Sequence, residues 1–234
     1  MIVSFASSCG KNTTNMGDEY LDIYNCKGVH LGTESRKLIH LKGMWHKTFH
    51  CWIIFRNEIG EDCVLMQKRG ANKSSAPNKL DSSVAGHYEA GEAIMGGIRE
   101  FKEETGLDIE SKDLIPLGIR VSVSDYREND INKELQEVFF IKKTVPLESL
   151  TLPVDEVAGM VELPVDRCIE LFDHQIDHFF ARGVFNDDAS SPGLPLIKNA
   201  KITIEDFIFF IDNFHFKIML LAKRALAGEK YLFI

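Results

Sequence analysis

The chain reads as an α/β protein, and three observations carry that reading. Runs of alternating β-branched and aromatic residues recur up to about residue 165, as strands do. A glycine-bearing loop, Gly86 to Gly91, runs into a segment whose apolar and acidic residues repeat at helical spacing. Beyond residue 165 the apolar positions recur at three- and four-residue steps, the period of a helix packed along one face.

Taken in order, residues 1–17 are polar and glycine-bearing after the first few positions and read as a flexible leader. EYLDIYN, 19–25, reads as a short strand, closed by a turn at Cys26, Lys27 and Gly28. Arg36 to Leu41 is either a helical turn or a strand edge. Trp45 to Phe55 alternates and is rich in aromatic and β-branched residues, so a strand is predicted there. Asn57 to Asp62 is a polar turn, and Cys63 to Lys68 is the return strand of a hairpin. A loop containing Pro77 follows, and 80–85 leads as a short strand into the glycine loop. Ile115 to Val123 and Leu135 to Ile141 are strands on either side of the polar loop SDYRENDINKE. Pro146 to Pro153 is a connector, and 155–163 begins a further strand.

The C-terminal part is expected to be helical. Asp166 to Phe180 carries Ile169, Phe172, Ile176 and Phe179 at helical steps, and Val184 to Lys198 is a loop broken by Asn, Asp, Ser, Gly and two prolines. Thr203 to Ala227 reads as one long helix stopped by Gly228. Its phenylalanines, Phe207, Phe209, Phe210, Phe214 and Phe216, surround more than one face. The helix is therefore expected either to close over the preceding domain or to join two copies in a symmetric dimer.

Composition narrows the function. An apolar share of 44% with 26% charged residues is ordinary for a packed globular chain. The net charge of −8 argues against an electrostatic grip on nucleic acid. An anionic substrate must then be met by metal or by local Arg and Lys. The five cysteines are scattered without CxxC spacing, which fits reduced thiols and a cytoplasmic protein. The start has no basic n-region, and no apolar run is long enough to span a bilayer, so neither secretion nor a membrane is expected.

The stretch GHYEAGEAIMGGIREFKEETGL, Gly86 to Leu107, carries the chemistry. Glu100, Glu103 and Glu104 stand at i, i+3 and i+4, so on a helix the three carboxylates share one face. Like charges crowded together repel, and a divalent cation turns that repulsion into attraction. Carboxylate oxygens are the ligands that Mg2+ and Mn2+ prefer. Ile94, Ile98 and Phe101 lie on another face at core spacing. A solvated acidic helix face is the ordinary alternative. The glycine loop before the cluster, Arg99 beside it and Gly106 after it tell against that alternative.

This segment resembles the Nudix box, the signature of enzymes that hydrolyse a diphosphate linked to another moiety. Gly86 and Glu92 match the first part of the pattern; Arg99, Glu100, Phe101, Glu103, Glu104, Gly106 and Leu107 match the second. One residue is missing between Glu92 and Arg99, near Gly96 and Gly97, which touches the role of Glu92 more than the others. WHKTFHCW, the QKR strand end and SVAGH further resemble the Nudix branch that includes isopentenyl diphosphate isomerases. Those isomerases carry a Cys immediately before the Gly-His pair, where this chain has Ala85. His46 and His87 match two isomerase metal ligands, and Glu137 matches an acidic site residue. The missing thiol weighs against isomerisation, and the complete box favours hydrolysis.

The resemblance implies an α/β/α sandwich with a mixed sheet, a domain over 18–165, and a helical extension over 166–234. It implies Mg2+ or Mn2+ on Glu100, Glu103 and Glu104, helped by the Gly86 carbonyl, with a small-molecule diphosphate as substrate. Arg99 is expected to hold the carboxylates by a bidentate salt bridge. Glu103 or Glu104 is expected to take the proton of the attacking water, with Glu156 in reserve and Asp155 beside it. Arg69, Lys73 and Lys79 approach the box and offer cations for phosphate, although the two lysines individually read as ordinary surface residues. Glu137 is either a solvated strand face or a supplementary metal ligand. His87 either lines the site as a hydrogen-bond donor or has no task in hydrolysis. A catalytically silent binding module is disfavoured, because no box carboxylate is lost.

Overall fold

The computed structural model describes residues 19–73, 75–127, 130–153, 155–186 and 195–234. The expected leader, 1–17, lies outside them. Strands β1 (Tyr20–Tyr24) and β2 (His30–Ser35) form a hairpin, and helix α1 (Arg36–Lys42) settles the choice between helical turn and strand edge. Gly43, at φ +61°, closes α1 and turns the chain directly into β3 (Trp45–Arg56). β4 (Asp62–Arg69) returns against it, followed by β5 (Leu80–Asp81) and β6 (Val84–His87). Helix α2 (Ile94–Thr105) carries the box carboxylates. Then come β7 (Leu114–Arg127), β8 (Asp130–Lys142), β9 (Val157–Pro164) and α3 (Val165–Phe172). β10 (Phe179–Phe185), β11 (Leu196–Ile202) and α4 (Phe214–Leu226) complete the described elements.

All eleven strands belong to one mixed sheet in which β3 is the hub. Along one edge β3 meets β1, β6 and β4 in turn, all antiparallel, and along the other it runs parallel to β8, with β7 outside. The alternation of β3 builds the layers. Phe49, Cys51, Ile53 and Phe55 pack with Phe101 of α2, while Trp52 and Ile54 pack with Phe140 and with Phe214 and Ile218 of α4. The result is an α/β/α sandwich with α2 on one face and α3 and α4 on the other. Cys51, Cys63 and Cys168 are unbridged and buried in these layers; Cys26 is exposed. Burial pushes the Cys63 thiol up to about 12, so it serves as a small apolar side chain.

Three expectations are corrected. The helix predicted over 166–180 ends at Phe172, and its last part is strand β10, which pairs with β9 and β11 and extends the sheet. Phe179, Ala181 and Gly183 point inward while Phe180 and Arg182 point out, so the alternation of a half-buried strand overrides the accidental helical spacing. The long helix predicted over 203–227 is half that length. A 3-10 turn over Ile204–Asp206, capped reciprocally by Thr203 and Asp206, leads into an irregular stretch, and α4 starts only after Asn213 at φ +53°. That stretch runs along β5: Phe207 bridges Leu80, and the Ile208 N–H donates to the Leu80 carbonyl at 3.2 Å. Finally, the polar run SDYRENDINKE is strand for most of its described length. Ser124, Asp130, Asn132 and Glu134 of this run line a cleft, which explains why it mimics a loop.

Candidate active site

A cleft of about 960 Å3 opens beside the N-terminal half of β3 and draws its lining from α1, α2, six strands and the C-terminal segment. Helix α2 seats the carboxylates there because Gly97 lets it press onto the sheet: a Cβ at Gly97 would collide with the Phe49 ring. Gly86 does the same one strand away, where a Cβ would occupy the place of the Glu100 carboxylate. Glu100, Glu103 and Glu104 all line the cleft with Gly86. Arg99 clamps two of them, Glu100 and Glu103, together with Glu92. Its guanidinium lies 3.2 Å from Glu92, 3.0 Å from Glu100 and 3.1 Å from Glu103. Glu92 also accepts from the Glu89 N–H at 2.9 Å, which secures the loop leading into α2.

The three carboxylates differ in environment. Glu103 is exposed. Burial pushes the Glu100 carboxyl up to about 7, with Arg99 opposing and Glu103 reinforcing. Glu104 is buried and accepts from Gln67 at 2.9 Å and from the Ala85 N–H at 3.3 Å; burial, then Glu100, push it up to about 8. One half-buried and one buried acid held this high are a donor set that a divalent cation would relieve, and an all-oxygen set fits Mg2+ or Mn2+.

A second donor cluster lies in the same region. His40 of α1, His46 of β3 and His87 of β6 bring ring nitrogens within 4.8 Å of one another. His46 and His87 stack at 5.2 Å, and His40 lies 5.2 and 5.7 Å from them. His46 Nδ1–H donates to the Met44 carbonyl at 3.1 Å, which leaves Nε2 as an open lone pair. The Nε2 atoms of all three rings are buried without hydrogen-bond partners. Burial lowers all three pKa values, His87 furthest, so the rings are neutral, the form that ligates metal. These residues fit a divalent cation that accepts imidazole.

Of the other predicted residues, Arg69 and Glu156 line the cleft. Arg69 is occupied by Asp81 at 3.2 Å and by the Ser75 carbonyl, so it shapes the loop before β5. Glu156 pairs with Lys73 at 3.2 Å. Lys79 donates to the Glu205 carbonyl, away from the phosphate role. Glu137 is not brought to the site. It pairs with Lys47 at 2.8 Å and accepts from Tyr88 Oη at 3.0 Å, among side chains on the α2 side of the sheet. Strand alternation puts its neighbours Glu134 and Gln136 in the cleft instead. Glu134 is bonded to Gln136 at 2.5 Å and Asn132 at 2.7 Å and lies 4.0 Å from His50. Burial raises its pKa, but His50, His46 and the two amides outweigh that and hold it low.

Sequence reasoning missed His40, Glu134, Gln136 and the C-terminal residues Ile208 and Phe210, which also line the cleft. For Glu134 a signal existed, since it and Gln136 share one parity on β8 and Glu137 the other. For Phe210 there was none, because its place depends on a long-range contact with β5.

A glycine-led strand, a carboxylate-bearing helix clamped by one arginine, and a deep polar cleft define a Nudix-type enzyme site. The NUDIX domain family model matches residues 44–182, and the chain belongs to that family. Nudix hydrolases in general cleave pyrophosphate bonds in nucleoside diphosphate derivatives and use a divalent metal. The chain is 37% identical over 194 residues to an uncharacterized Nudix hydrolase of Clostridium acetobutylicum, covering 82% of this chain and 91% of that one. It is 30% identical over 159 residues to Nudix hydrolase 3 of Arabidopsis thaliana, covering 65% of this chain and 20% of that one. An isopentenyl-diphosphate Delta-isomerase of Aliivibrio fischeri is 27% identical over 144 residues, covering 61% and 78%.

Proposed function

We propose that the protein hydrolyses the diphosphate linkage of a small organic diphosphate, a nucleoside diphosphate derivative foremost, with Mg2+ or Mn2+. The observation that carries this reading is the convergence of Glu100, Glu103 and Glu104 with Gly86 in one cleft, the first two clamped by Arg99. A divalent cation held there by Glu100, Glu103, Glu104 and the Gly86 carbonyl would neutralise diphosphate charge and acidify water for attack at phosphorus. The chain's own residues do the rest. Arg99 fixes Glu92, Glu100 and Glu103 in one arrangement, and Gln67 does the same for Glu104. Glu103 or Glu104 accepts the proton of the attacking water, and the bridging P–O bond breaks to leave two phosphate-bearing products. Glu156 stands in reserve beside Lys73, whose ammonium is at hand for a substrate phosphate.

The test is a panel of nucleoside diphosphate sugars, dinucleotides, nucleoside di- and triphosphates, coenzyme A and prenyl diphosphates, incubated with Mg2+ in 18O-water. Release of two phosphate-bearing products, one labelled, from at least one of them is expected. No cleavage anywhere in the panel, with either Mg2+ or Mn2+, would overturn the proposal.

One observation favours a second reading. The three open histidine nitrogens suit a metal of the isomerase kind. Against it, Ala85 has only a methyl group where isomerisation needs a proton donor. Incubation of isopentenyl diphosphate in D2O with Mn2+ separates the two, and deuterated dimethylallyl diphosphate would decide for the isomerase.

A further inference from the structure

Phe210 lies outside the segment 44–182 that matches the family, yet it lines the cleft. Its surroundings are built, not incidental. The Arg120 guanidinium sits 4.3 Å from the Phe210 ring centroid and 4.0 Å from that of Phe214, so it covers one face of each ring. Arg120 donates twice to Asp212, at 2.7 and 3.0 Å, and once to Gln136 at 2.8 Å. Its side chain is only 9% exposed. Phe214 meets the Phe210 ring edge-on at 5.7 Å. Phe210 is half-buried, with the His215 ring 5.0 Å away and tilted by 51°, and it borders the cleft while Arg120 does not.

We propose that Phe210 is a stacking platform for a planar heteroaromatic ring, such as a nucleobase, on the group attached to the diphosphate. The Arg120–Asp212 pair is the latch that holds the platform in place. This rests on the hydrolase reading above and names the substrate class of that same cleft.

The chemistry of the lining selects such a ring. Near Phe210 the cleft offers the carbon surfaces of Phe210 and Ile208, the Ser122 hydroxyl of β7 and, beyond its bonds to Arg120 and Glu134, the second N–H and lone pair of the Gln136 amide on β8. A prenyl chain would meet those polar groups without satisfying them. A sugar alone would leave the Phe210 face without a partner. A flat ring with a polar edge uses both, since every base has a π-face to stack and donors and acceptors along its rim. The stretch carrying Phe210 and Asp212 is pinned at its start by Leu80 and in its middle by Arg120, so the platform is set before substrate arrives.

The experiment compares ADP-ribose with diribose diphosphate, the same molecule without its base, on the full chain. The base-bearing compound is expected to have a KM about tenfold lower, the size of one stacking contact. Phe210→Ala should raise that KM about tenfold and shrink the difference between the two compounds. Phe210→Trp should keep the difference, and Asp212→Asn should shrink it in part. Equal KM values for the two compounds with the unsubstituted chain would overturn the platform. So would a Phe210→Ala variant that weakens both compounds alike. If Phe210→Ala does not melt cooperatively, the Trp and Asn variants decide. If neither compound is cleaved, the hydrolase reading fails there, and the platform is read by saturation-transfer NMR with AMP. Transfer to the adenine protons that Phe210→Trp preserves and Asp212→Asn reduces is expected; its absence would overturn the platform.

Discussion

Glu103 and Glu104 sit one residue apart on α2, yet their surroundings assign them different costs. Glu103 is exposed and contributes nothing to the core, so Glu103→Gln removes charge from the cleft without disturbing the fold. Turnover in saturating Mg2+ should fall by about a hundredfold or more, with an unchanged melting temperature; an unchanged rate would reject its role. Glu104 is buried, and its pKa is raised to about 8. An acid raised above its unfolded value favours the native state below the unfolded pKa, and that advantage is lost as pH rises through the folded pKa. The metal-free protein should therefore lose stability between about pH 4.5 and pH 8 through this group. Glu104→Gln, which can still accept a hydrogen bond from Gln67, should melt on the order of 5 °C higher at pH 8 in EDTA. The gain should vanish at pH 4. Equal melting curves at both pH values would show that Glu104 is not strained by burial.

At the scale of elements, α2 acts through the closeness of its approach. Gly97 has no side chain to hold it away from Phe49, and Phe49 is fully buried and cannot step aside. Gly97→Ala should destabilise the protein by about 1–3 kcal/mol, the usual cost of overpacking. It should also lower turnover, because all three carboxylates ride on the same helix. Adding Phe49→Leu should return part of both, as urea melts and initial rates would show. A Gly97→Ala variant as stable and active as the parent would mean that α2 is not seated by this contact. Strand β8 illustrates the opposite sensitivity. An odd number of steps along it separates Glu134, in the cleft, from Glu137, which turns to Lys47 and Tyr88, so parity alone decides which acid can take part.

For the whole molecule, the sheet is closed on one face by α4, whose Phe214, Ile218, Met219, Ala222 and Ala225 are buried in the layer around Trp52. Of the phenylalanines that suggested a dimer, Phe207 and Phe214 are spent inside the chain, Phe210 and Phe216 are half-buried, and Phe209 is exposed. A chain ending at Lys201 should lose its cooperative melt, since several buried aromatic and aliphatic side chains, each worth about 1.5–3 kcal/mol, would go with it. Light scattering on the full chain should give the mass of one copy. A full chain of twice that mass whose truncated form stays folded would place α4 between subunits instead.

The box, Gly86 to Leu107, was legible as sequence because its logic is local: three carboxylates at i, i+3 and i+4 share a helix face whatever surrounds them. So were the alternation of β3, the hairpin with β4 and the capping glycine at Gly106, which answer to short-range sterics. Tertiary structure alone decided the rest. Phe179 to Phe185 became a strand because β9 offered it an edge, and the chain left the helix at Phe207 and Ile208, where Leu80 bridges the backbone and takes the Ile208 N–H. The meeting of His40, His46 and His87 depends on α1, β3 and β6 being folded against one another, and the choice of Glu134 over Glu137 on the register of β8 against β3. Local spacing fixes which side chains share a face; only long-range pairing fixes what that face looks upon.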